Sequence, residues 1–405
     1  MDEQALLEGA AERIGRRRMA EAAVRIVNAA GRPLPGAPVH IEQTRHAFLF
    51  GCNAFPLLRR SPAYNDLYAR RFTDLLNYAT LGFYWGSYEP APGETREAAL
   101  REQAEWCAAH GVAVKGHPLV WHETYPAWAP TEVAETKARL RDRVTEIVSG
   151  FAGLIDRWDV VNEATVSAEE KHLGTGVGQW AKVEGALALV REALGWAHAA
   201  NPAAFLLYND FNLGAGFEQL AEQLVAAGAP VSAFGIQSHM HGGEWPLSRA
   251  WQACETYARF GRPLHFTETT VLSGKHGWME PAPWPSTPEG EEQQAEYVAQ
   301  FYTLLFSHPA VEAITWWDLM DGEGAWMGAP AGLVREDLSP KPAYERLLSL
   351  VKGEWWTKTE GVTDGEGVRR FRGFLGDYRI ATSGAERKME LSRGGDNSIT
   401  ITLSA

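Results

Sequence analysis

Eight short apolar runs, each followed by an amphipathic stretch, limit what this chain can fold into more than anything else in it. The runs span 48–54, 78–85, 112–121, 157–164, 204–212, 232–240, 263–270 and 311–319. Helix candidates lie near 63–76, 95–110, 131–152, 179–199, 216–227, 247–259, 289–307 and 341–351. Short apolar runs read as strands buried on both faces, the mark of parallel sheet. Strand-then-helix units repeated eight times predict an α/β fold, a (β/α)8 barrel over residues 45–351.

The flanks differ in texture. Residues 1–21 read as a helical segment. Residues 22–44 read as a β-hairpin, with Val24 and Ile26 before a Gly31-Arg32-Pro33-Leu34-Pro35-Gly36 turn and Val39 and Ile41 after it. Residues 352–405 turn β-like and glycine-rich, with strand candidates at 368–382, 388–391 and 398–403. Neither flank buries much alone, so the expectation is one small β-module built from hairpin and tail against the barrel.

Composition removes several classes of function. A net charge of −13 lacks the basic stripe that nucleic acid demands. No apolar stretch approaches the roughly 18 residues of a membrane span. Three cysteines, Cys52, Cys107 and Cys254, are too few and scattered for a disulfide framework and read as small core residues. The first 20 residues show no signal-peptide apolar segment, which leaves an intracellular protein or a secreted one whose signal has been removed. Sixteen tryptophans suit a carbohydrate binder, because indole faces stack on sugar rings, although about half read as core.

Chemistry in a (β/α)8 barrel collects at the C-terminal strand ends. Here those ends carry His117, Asn162 with Glu163, Asn209 with Asp210, Gln237 with His239, Glu268 and Trp317. Two glutamate-ended strands, fourth and seventh, would bring a pair of carboxylates together, the equipment for cleaving a glycosidic bond. His239 and His241 could also be read as a metal pair on one strand face. No partner pattern accompanies them, so neither metal nor cofactor is expected. Asp159, in mid-strand, reads as a brace inside the barrel.

Taken together, Gly116–His122, Trp158–Glu163, Tyr208-Asn209-Asp210, Gln237-Ser238-His239, Phe266-Thr267-Glu268 and Lys341-Pro342-Ala343-Tyr344 resemble glycoside hydrolase family 10, in that family's order. The resemblance covers about 45–350 and implies a retaining endo-β-1,4-xylanase-like enzyme on a (β/α)8 barrel. It implies Glu163 as general acid/base, Glu268 as nucleophile, His239 as the partner holding Glu268 ionised, and Asn162 as the grip on the sugar 2-hydroxyl. It further implies sugar contacts from His117, Trp121, Tyr84, Trp85, Asn209, Gln237, Trp317 and Trp326. The expected partner is a β-linked oligo- or polysaccharide, in polysaccharide degradation.

One region departs from the family. Its Glu-Asn-x-x-Lys ahead of the second strand's tryptophan is replaced by Thr80, Leu81 and Tyr84, before Trp85. Glycone recognition should therefore shift while bond cleavage survives. The eighth strand also differs, with Asp318 and Asp321 where the family has small residues. Trp278 and Trp284, in the long loop after the seventh strand, could cap the cleft or simply pack it. Alternatives to the xylanase-like reading are an exo-acting or other β-glycosidase on the same fold, a non-catalytic carbohydrate-binding barrel, and a metal-dependent hydrolase using His239 and His241.

Overall fold

The structure, a computed structural model, describes residues 2–274, 284–322 and 325–403. Eight parallel strands close into a barrel in the order β10-β3-β4-β5-β6-β7-β8-β9. They are β3 (Leu49–Asn53), β4 (Tyr78–Gly82), β5 (Ala113–His117), β6 (Arg157–Asn162), β7 (Phe205–Asp210), β8 (Ala233–His239), β9 (Leu264–Thr270) and β10 (Val311–Trp316). Each falls inside one of the eight apolar runs, and each is followed by a helix. The strands are almost wholly buried, as expected where helices cover a sheet from outside and side chains fill it from within. One helical segment, Gly176–Ala200, is broken at Gly185, where φ is 86°.

Packing between the barrel strands and the helices outside them explains one glycine. A side chain at Gly116 on β5 would meet the Trp158 ring of β6 at 2.1 Å. Trp158 is fully buried and uses that gap. Four register shifts interrupt the parallel ladders around the two glutamate-bearing strands: one between Asp159 and Val161 on β6, one where β9 passes from Phe266 to Glu268 beside Ile236 and Gln237 of β8, and two between β10 and β9. Such irregularities re-aim side chains, and they are common beside active sites.

Both flanking segments form strands, but the arms of 22–44 pair only at the turn, where Val27 bridges Pro33, and then part into different sheets. β1 (Met19–Asn28) lies between β12 (Val368–Phe374) and β15 (Ser398–Leu403), antiparallel to the first and parallel to the second. β2 (Pro38–His46) lies between β11 (Lys358–Val362) and β13 (Gly376–Thr382), with β14 (Ala385–Leu391) beyond. The chain thus feeds two sheets, and the tail supplies every ladder partner of β1 and β2. Val24 and Ile26 of β1 meet Val39, Ile41, Tyr378 and Ile380 of the other sheet in a core of their own. The alternation read as hairpin pairing was real; it recorded two inward faces of two sheets rather than one ladder.

Aromatic contacts seat this module on the barrel. Phe306 stacks on Trp355 with centroids 4.5 Å apart, and His46 Nε2 lies 2.6 Å from the Trp355 carbonyl. Arg18, at the end of the N-terminal helix, donates to the carbonyls of Phe306, His308 and Val311, each at 2.7 Å. Among the described residues no helix is long and apolar enough to cross a membrane. All three cysteines are buried and unpaired by disulfide.

Candidate active site

The C-terminal ends of the barrel strands bring the two glutamates into one hydrogen-bonded chain. Asn209, one residue before the end of β7, donates from Nδ2 to Glu268 Oε1 at 2.7 Å and to Asn162 Oδ1 at 2.8 Å. Gln237 of β8 donates from Nε2 to the same Asn162 oxygen at 3.2 Å and to Glu163 Oε1 at 2.8 Å. The run Glu268–Asn209–Asn162–Gln237–Glu163 therefore spans the site without a gap. Thr267 completes it from below, its hydroxyl donating to Asn209 Oδ1 at 2.5 Å.

Each carboxylate has further partners of its own. Trp121 donates its indole N–H to Glu163 Oε2 at 3.0 Å. His239 Nε2 lies 3.0 Å from Glu268 Oε2, and His117 Nε2 lies 3.8 Å from Glu268 Oε1. His117 is held from behind by Asp159, whose Oδ2 lies 2.7 Å from its Nδ1 and 2.5 Å from Lys115 Nζ. Asp159, Lys115 and His117 are all buried, so the brace inside the barrel is an ionic one. Lys115 escaped the sequence reading; a lysine in mid-strand among apolar residues was the available signal.

Electrostatics separate the two glutamates. Burial is the largest influence on Glu163 and, with the charge of Glu268, lifts its carboxyl to about 8, despite the donors Gln237 and Trp121. Burial pushes Glu268 upward as well, but His117, His239 and Lys115 outweigh it and hold its carboxyl below the usual range. Near neutral pH one carboxyl keeps its proton and the other is ionised. Glu163 also has φ of 58°, a conformation uncommon for a residue other than glycine. Its amide bonds back to the Asn209 carbonyl at 2.8 Å, so the strained residue is tied to the same strand that serves Glu268.

Aromatic side chains enclose this centre. Tyr84 stands edge-on to His117 at 5.4 Å and 5.7 Å from Trp121. Trp317 packs edge-on against Phe55, His117 and His239, and Trp326 lies 4.2 Å from the His239 ring while staying 41% exposed. Asp318 is buried beside them, accepting from Asn53 Nδ2 at 3.2 Å and the Trp326 amide at 2.9 Å, and burial raises its carboxyl to about 6. Asp321 pairs with the buried Lys341 at 2.5 Å. The two acidic residues of the eighth strand region thus hold the loop that carries Trp326.

Several residues expected to touch sugar also hold other side chains in place. Asn209 is fully buried and spends its donors on Glu268 and Asn162. Trp85 is a wall residue, its indole donating to Glu89 Oε2 at 3.0 Å and its ring edge-on to Tyr125 and Trp128. His117 is 1% exposed and offers the site one ring edge. Of the three divergent second-strand positions, Leu81 packs in the main core and Thr80 is buried within the barrel, leaving Tyr84 as the one beside His117 and Trp121. His241 turns toward Trp326, 4.5 Å away, and Thr270. Trp278 lies outside the described residues.

Comparison with known proteins places this geometry. Residues 45–350 match the model of Glycosyl hydrolase family 10. The chain is 26% identical over 284 residues to an endo-1,4-beta-xylanase of Geobacillus stearothermophilus, covering 65% of this chain and 84% of that protein. It is 26% identical over 388 residues to the anti-sigma-I factor RsgI6 of Acetivibrio thermocellus, covering 93% of this chain. It spans 46% of that protein and 40% of the endo-1,4-beta-xylanase A of a Caldicellulosiruptor species, less than half of each. Xylanase 10B from Thermotoga maritima superposes with a TM-score of 0.64 at 25% identity, over 76% of this chain and 96% of that one. With the family match running from the first barrel strand to the last barrel helix, the chain belongs to glycosyl hydrolase family 10.

Proposed function

We propose that this protein is a retaining β-glycoside hydrolase that cleaves a β-1,4-xylan-like plant polysaccharide by double displacement, with an altered glycone subsite. The observation that carries the reading is the opposite displacement of two carboxyls joined by one hydrogen-bonded chain. Glu163, protonated, gives its proton to the leaving oxygen; Glu268, ionised, attacks the anomeric carbon. A water then attacks the glycosyl-enzyme, and Glu163, now the base, takes its proton. The endo-1,4-beta-xylanase names of several relatives support the substrate class.

Recognition of the glycone falls to Tyr84, which replaces a lysine of the family pattern. A phenol offers one donor and a ring face where an ammonium offers three donors and a charge. Activity on ordinary xylan should therefore be reduced or shifted toward other β-linked substrates or toward exo action. Turnover on a panel of xylan, β-glucan and aryl β-glycosides is the direct measurement. Glu268→Ala should abolish turnover on every substrate cleaved, and NMR of the first product should show retained anomeric configuration. Inversion, or a fully active Glu268→Ala protein, overturns the mechanism.

A further inference from the structure

Behind Trp121 and the Glu163 loop, three side chains that the proposed glycosidase chemistry does not use converge on one point. His122 follows Trp121 in sequence, Glu123 follows His122, and His172 ends the short turn Glu170–His172. The ring nitrogens and a carboxylate oxygen lie within 4.8 Å of one another. The imidazole centroids are 3.8 Å apart, and the two rings are 2% and 7% exposed while Glu123 reaches solvent. Lys171, the nearby cation, is exposed and paired with Glu169 at 3.2 Å.

Hydrogen bonding fixes where the proton on His122 sits. Ser167 has one hydroxyl hydrogen, and its neighbour at 3.1 Å is the Glu163 carbonyl, which can only accept. The Ser167 oxygen is then left to accept from His122 Nδ1–H, 2.9 Å away. A neutral imidazole protonated at Nδ1 carries its lone pair at Nε2. That Nε2 is buried with no hydrogen-bond partner among the described residues, beside a second imidazole.

We propose that His122, His172 and Glu123 form a binding site for one divalent transition-metal ion of the zinc class. Two imidazoles and a carboxylate are a common zinc donor set that leaves a position open for water. Nitrogen donors disfavour calcium and magnesium, which take oxygen ligands. The Ser167 contact is the outer partner that metal-bound histidines usually have, fixing tautomer and ring orientation. Because Ser167 also holds the Glu163 carbonyl, an ion here would stiffen the segment 163–172 that carries the acid/base residue.

The test is metal titration of the full chain after treatment with a chelator. Co2+ should bind with one equivalent and give visible d–d absorption of a low-coordinate site, and Zn2+ should displace it and raise the melting temperature. His172→Ala should weaken binding at least tenfold, and Ser167→Ala, which keeps every ligand, by about 10–100-fold. If circular dichroism shows His172→Ala unfolded, Glu123→Gln, a surface change, takes its place. A spectrum of hydrated Co2+ alone, or equal affinity in wild type and the folded ligand variant, overturns the site.

Discussion

Glu163 is the residue on which the proposed chemistry depends most. Its raised carboxyl follows from burial and the neighbouring Glu268 charge, and at its positive φ its amide is tied to the Asn209 carbonyl. The pH dependence of kcat/KM should be bell-shaped. The basic limb, loss of the Glu163 proton, should fall near 8, and the acidic limb, protonation of Glu268, should lie below the usual carboxylate range. A single-limbed profile would contradict the two roles. Asn209→Ala removes a donor from ionised Glu268, a bond to a charged group worth about 1.5–3 kcal/mol, so kcat should drop by about 10–100-fold. The acidic limb should also move to higher pH, which a purely structural defect would not cause.

At the scale of elements, β5 and β6 carry a buried ion pair whose purpose is positional. Lys115 and Asp159 face each other inside the barrel, and Asp159 in turn holds His117 against Glu268. Replacing one partner strands the other: Lys115→Met should cost about 3–5 kcal/mol in urea unfolding, because Asp159 loses its main counter-charge. An unchanged unfolding midpoint would show the pair to be dispensable. The register shifts on β6 and β9 act at the same scale, one just before Asn162 and the other at Thr267, just before Glu268. A shift of this kind leaves no trace in apolar patterning, since both faces of these strands are buried.

For the whole molecule, the barrel and the two outer sheets are joined by aromatic packing around Phe306 and Trp355 and by Arg18 on three carbonyls. The tail supplies every ladder partner of β1 and β2, so removing residues 352–405 strips both strands bare. The shortened chain should be insoluble or melt well below the full protein in a thermal scan. A soluble barrel with unchanged melting temperature would show the module to be a passenger.

The chain by itself determined the barrel, because eight buried strands and their helices each leave a periodic apolar signature that local sequence must carry. It also determined the two glutamates, whose positions at strand ends are fixed once the strands are. It did not show which of the expected site residues hold other side chains: Asn209 bonds to Glu268 and Asn162, and Trp85 bonds to Glu89. That distinction depends on which way a side chain turns after a bulge and which neighbour is in reach. The pairing of β1 with β12 and β15 was equally hidden, since alternation tells which face is buried and not which distant strand lies alongside. The displacement of the two carboxyls came only with the tertiary structure, because it arises from burial and from charges on other strands: Glu268 acting on Glu163, and His117, His239 and Lys115 acting on Glu268.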